Sequence, residues 1–151
     1  MDILNEDITE TGKKLDTAEV QLYQFVRRSE ELLEICADSE RRLHSSALFL
    51  PTNLKDAERM EADLEEFSAK FEDGMKEGIP SYTTEMEEVL AMECIDRGLI
   101  LEWSDKVTVA LHELNLLFGR RMNTLEVVAG FYKKLDLIDC SDWVEVIVLS
   151  N

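Results

Sequence analysis

Residues 15–43, LDTAEVQLYQFVRRSEELLEICADSERRL, decide the fold. Within them Leu15, Ala18, Leu22, Phe25, Ser29, Leu32, Cys36, Ser39 and Leu43 recur at alternating intervals of three and four. That spacing holds side chains on one stripe of an α-helix. The stripe is narrow, as in helices that lie along other long helices, and its small residues leave room for bulky partners. A helix is therefore expected over residues 13–47. Residues 1–12, MDILNEDITETG, lack a sustained period and read as a loose acidic lead-in.

Working outward, Pro51 ends the first helix, and Thr52 or Asn53 can cap the next. From residue 54 the spacing of Met60, Leu64, Phe67, Phe71 and Met75 is again helical. Gly74, Gly78 and Pro80 weaken it. Thr84, with Glu87 three residues later, has the form of a capping box, and Met86, Val89 and Leu90 would lie on the buried side of the helical segment it opens. The second helix is thus expected to be kinked or split near Pro80. After a turn at residues 96–98, Ile100, Trp103, Val107, Ala110, Leu114 and Leu117 restore the spacing. A shift near Arg121 precedes its resumption at Leu125, Val128, Tyr132 and Leu135. The expected fold is all-α: an elongated antiparallel three-helix bundle over residues 13–139. Residues 140–151 form a C-terminal tail or the start of a following repeat.

The length, 151 residues, suits one domain, and 33 acidic against 16 basic side chains give a net charge of −17. Such a surface disfavours nucleic acid and anionic membranes. No apolar run approaches the roughly 18 residues that a membrane span needs. Residues 54–77 carry nine acidic and four basic side chains. They form either a solvated face or a docking surface for a basic protein, and Glu61, Glu65 and Glu66 are its candidate interface residues. The basic doublets Lys13/Lys14, Arg27/Arg28 and Arg41/Arg42 recur every 14 residues, or two heptads, and are expected to meet the acidic second helix.

Catalytic chemistry finds few parts here. His44 and His112 stand in separate helices without the Glu-x-x-His pattern of di-iron bundles, and Cys36, Cys94 and Cys140 are odd in number and widely spaced. The cysteines read as reduced thiols of a cytoplasmic protein. No catalytic residue, cofactor or metal is expected. The apolar C-terminal end, with Phe131, Trp143 and Val144, is a second candidate protein interface and offers a route to a homodimer.

Three heptad segments in this order, together with particular residues, resemble a spectrin repeat. Phe25-Val-Arg-Arg-Ser-Glu-Glu-Leu-Leu-Glu-Ile35 is similar to the opening of that unit, with Ile35 in the place of its first-helix Trp. Arg120, Arg121 and Leu125 resemble the basic residues and Leu late in its third helix. The segment from Phe131 through Asp139 to Trp143 looks like the start of a following repeat. Leu111 stands where the family carries a Trp, and Gly78 with Pro80 interrupts the second helix. The resemblance implies a non-enzymatic scaffold and spacer in a larger cytoskeletal or signalling protein, contacting neighbouring repeats and partner proteins. The alternative reading is a compact four-helix regulatory domain that binds a helical peptide in a groove between residues 84 and 139.

Overall fold

The structure, a computed structural model, describes residues 2–93 and 95–137, with backbone only for residues 2–11, 14 and 15. Three helices account for almost all of them: α1 (Asp2–Ala47), α2 (Leu54–Leu90) and α3 (Arg97–Leu137). The fold is an all-α three-helix bundle. Among the described residues there are three helices rather than four and no strand. The segment 2–12, read from the sequence as a loose lead-in, is helical and continuous with α1. It contains no proline, so nothing in it blocks propagation of the helix.

Each helix junction is closed by a local polar group. Leu48 and Phe49 donate their amides to the carbonyls of Ser45 and Ser46, which tightens the last turn of α1. Asn53 is the N-cap of α2: its Oδ1 accepts from the Asp56 amide at 2.7 Å, and its carbonyl accepts from Ala57. Asp56 reaches back to the Thr52 amide at 3.2 Å. Asp96 does the same work for α3, accepting from the Leu99 amide at 3.1 Å.

The chain divides into two compact units. The first joins residues 1–40 to residues 72–114. Its core holds Phe25 and Leu32 of α1, Tyr82 and Val89 of α2, and Ile100 and Val107 of α3, with Trp103 packed against them. The α1 stripe is buried where predicted, from Ala18 through Phe25, Ser29, Leu32 and Cys36. Ser29 explains why a small residue belongs there. The Tyr82 ring stacks on Phe25 with centroids 5.0 Å apart, and its hydroxyl lies 2.6 Å from the Ser29 hydroxyl. Ser29 also reaches the Phe25 carbonyl at 3.0 Å, so this buried polar pair is satisfied.

That contact also bears on the choice the sequence leaves open at Pro80, where the split form is excluded. Helix α2 runs unbroken through Pro80. Proline in a helix interior costs about 3 kcal/mol, having no N–H to give and a ring that crowds the preceding turn. Burial of Tyr82 and Val89 on the following turns offsets that cost by tertiary packing. Thr84 is not an N-cap: its hydroxyl donates to the Pro80 carbonyl at 3.0 Å, as Thr83 does to Ile79. Both threonines thus bond backward inside a continuing helix.

The second unit joins residues 41–71 to residues 115–151. Leu43, Ala57, Leu64, Phe118, Leu125 and Ala129 are buried in it. Phe118 is flanked by Phe67 and Phe71, with centroids 5.2 and 5.8 Å away. The expected shift of register near Arg121 is present: Leu125 is buried and Val128 and Tyr132 are half-buried, whereas Thr124 and Phe131, which an unshifted stripe from Leu117 would turn inward, are exposed. Arg121 lies seven residues after Leu114 and seven before Val128. It is half-buried at the point where the stripe changes phase.

Candidate protein-interaction site

The connection between α1 and α2 carries three consecutive apolar side chains, Leu48, Phe49 and Leu50, that are 82%, 66% and 66% exposed. They fall between the last buried position of α1 and the buried Pro51, outside either helical stripe. Backbone geometry holds them there. Tyr132 donates its hydroxyl to the Pro51 carbonyl at 3.0 Å. Arg121 donates through Nη2 to the carbonyls of Ser46 at 2.9 Å and Phe49 at 3.0 Å. The guanidinium thus adds a charged donor to the Ser46 carbonyl, which already accepts the Phe49 amide, satisfies the Phe49 carbonyl just beyond α1, and offsets the negative end of the helix dipole. Partial burial pushes the Arg121 pKa down.

Beside this connection, wholly within the second unit, lies a cavity of about 570 Å³. Its apolar wall is formed by Phe49, Leu50, Met60, Leu64, Phe67 and Leu125. Three arginines share the lining: Arg42, Arg59 and Arg121. Arg42 sits over the Phe67 ring, its guanidinium carbon 4.1 Å from the centroid. Arg59 is tied to Asp56 by an ion pair. Asp56 and Asp63 are the carboxylates of the lining. The cavity falls in the size range of ligand sites and has the usual pattern of apolar walls with a few polar groups.

The residues singled out from the sequence are dispersed by comparison. Glu61, Glu65 and Glu66 share little more than one turn of α2 but face different surroundings. Glu65 and Glu66 are exposed, and Glu66 pairs with Lys70 at 3.0 Å on the helix surface. Glu61 is half-buried, and its Oε1 is enclosed without a hydrogen-bond partner. Phe131 is 58% exposed on α3, its ring edge-on to Tyr132 at 5.7 Å. Trp143 and Val144 lie outside the described residues. One basic doublet pairs differently from expectation: Arg27 and Arg28 reach Glu31 within α1, at 3.7 and 4.0 Å. Residues three or four apart on one helix meet before residues of neighbouring helices do.

The one cysteine described, Cys36, is buried in the first unit. Burial and then the charge of Glu40 push its thiol pKa up, the opposite of an activated nucleophile. Among the described residues, no group of three His, Cys, Asp or Glu side chains could hold a metal ion. Nor is any helix among them long and apolar enough to cross a membrane. Comparison with protein families, with curated proteins and with solved structures finds no match to this chain.

Proposed function

We propose that this chain is a non-enzymatic helical scaffold module that works by holding other proteins, as its resemblance to spectrin repeats implies. The observation that carries this reading is the exposed Leu48-Phe49-Leu50 segment beside an apolar cavity. Large contiguous apolar surface on a folded domain is costly to leave in water, and it marks an interaction site. The buried stripes fix the three helices, and the bonds made by Asn53, Asp56 and Arg121 hold the connection that presents Phe49 and Leu50. Nothing in this arrangement demands chemistry at the site. A place in a cytoplasmic cytoskeletal or signalling assembly is part of the same proposal.

Affinity capture from cell extract with the wild-type chain and with Leu50→Asp tests the reading. The wild type is expected to enrich one or more proteins that Leu50→Asp no longer retains. Identical captured sets would contradict it, provided circular dichroism shows equal helicity in the two chains.

A further inference from the structure

The cavity differs in charge from the molecule around it. The chain carries 33 acidic and 16 basic side chains, yet the cavity lining has three arginines against two aspartates. One of those arginines, Arg59, is matched with Asp56. The other two are held by neutral groups: Arg42 by the face of Phe67, and Arg121 by two backbone carbonyls. Among the described residues neither has a carboxylate partner. Arg121 uses only Nη2 for those carbonyls, so Nη1 and Nε remain as donors. A guanidinium is the side chain best shaped to take a carboxylate, and the partial burial of Arg121 makes that contact worth more there than on open surface.

We infer that this cavity binds an acidic peptide segment of a partner protein, one that places an aromatic or branched aliphatic side chain beside a carboxylate. The apolar group rests against Met60, Leu64 and Phe67, and the carboxylate meets Arg42 and Arg121. Asp63, also in the lining, disfavours a second carboxylate at its own side of the cavity and so orients the segment. This inference rests on the reading of the cavity as an interaction site and names the chemistry of what it holds. It reverses the expectation that an acidic chain seeks a basic partner, because the local surplus and not the net charge governs contact at short range.

Fluorescein-labelled twelve-residue peptides provide the test, titrated into the full chain and tracked by anisotropy. One carries a central Trp-Leu flanked by glutamates, the second has lysines in place of the glutamates, and the third has serines in place of Trp-Leu. Binding is expected from the first alone, with a loss of tenfold or more in Arg42→Gln and partial recovery in Arg42→Lys. Arg42 is exposed, so these variants leave the fold intact; Arg121→Lys provides a second arm.

Equal or tighter binding by the lysine peptide would overturn the inference. If that binding is lost in Leu50→Asp, the interaction site stands and only its acidic occupant is wrong. No binding by any peptide, with capture from extract also unaffected by Leu50→Asp, would remove both readings. A tenfold gain in peptide affinity on Trp143→Ser would make the chain's own C-terminal segment the occupant. Self-association abolished by Arg42→Gln would make it a second copy. Either result overturns the proposal.

Discussion

The two units are built from the same three helices but use their aromatic residues in different ways. In the first, the phenyl ring of Phe25 and the ring of Tyr82 close on each other, and the one polar atom they bring inside is matched by Ser29. In the second, Phe67 has one neighbour in Phe118, a cation over its ring, and a place in an open cavity. Phe49 and Leu50 stay in water. The contrast separates side chains whose burial stabilises the fold from side chains whose exposure does not. It also predicts where substitution damages stability and where it damages binding.

The largest effect is expected in the first unit. Tyr82→Ala removes a buried ring from between α1 and α2 and should cost about 3–5 kcal/mol, read from the midpoint of urea unfolding. A loss under about 1 kcal/mol would mean that this core is not the stabilising one. Arg121→Met comes next, at about 2 kcal/mol, because it strips a charged donor from two carbonyls at the end of α1. Faster amide exchange confined to the last turn of α1 and residues 48–50 would identify the cause. Tyr82→Phe should cost about 1 kcal/mol, since Ser29 keeps its bond to the Phe25 carbonyl while losing the phenol.

Alkaline pH sharpens the same comparison. Burial is the main cause that pushes the Tyr82 pKa above its ordinary value of 10.0, with Glu85 adding to it and the Ser29 hydrogen bond opposing. The Cys36 thiol is likewise raised above 9.0. Both groups ionise first in the unfolded chain, so their neutral forms contribute fully below those values. That contribution is lost as the pH rises through the higher folded values. Stability should therefore begin to fall as the pH rises above about 9, and the fall should be shallower in Tyr82→Phe than in the wild type. Equal slopes would show that Tyr82 is not enclosed.

The legibility of these features in the sequence depends on what sets each one. The α1 stripe is readable because nine positions keep one period and the buried ones face the core. Thr84 misleads, and Pro80 leaves continuous and split forms open, because local propensity opposes a continuous helix there and only the packing of Tyr82 and Val89, reached through tertiary contact, overrides it. The phase shift near Arg121 is legible from the spacing of the apolar residues, but the task of Arg121 itself is not. Its partners, the carbonyls of Ser46 and Phe49, lie more than 70 residues away in the chain. The cavity is hidden for the same reason, as its lining comes from all three helices. The signal that marks it is Leu48-Phe49-Leu50, an apolar run outside any periodic stripe and ended by a proline.

The separation of folding from binding is tested most directly by serine at both Phe49 and Leu50, with unfolding and partner capture measured on the same preparation. Stability within about 0.5 kcal/mol of wild type, together with loss of the captured partners, is the expected result. A loss of more than about 2 kcal/mol with capture unchanged would contradict it and would assign these two side chains to the fold.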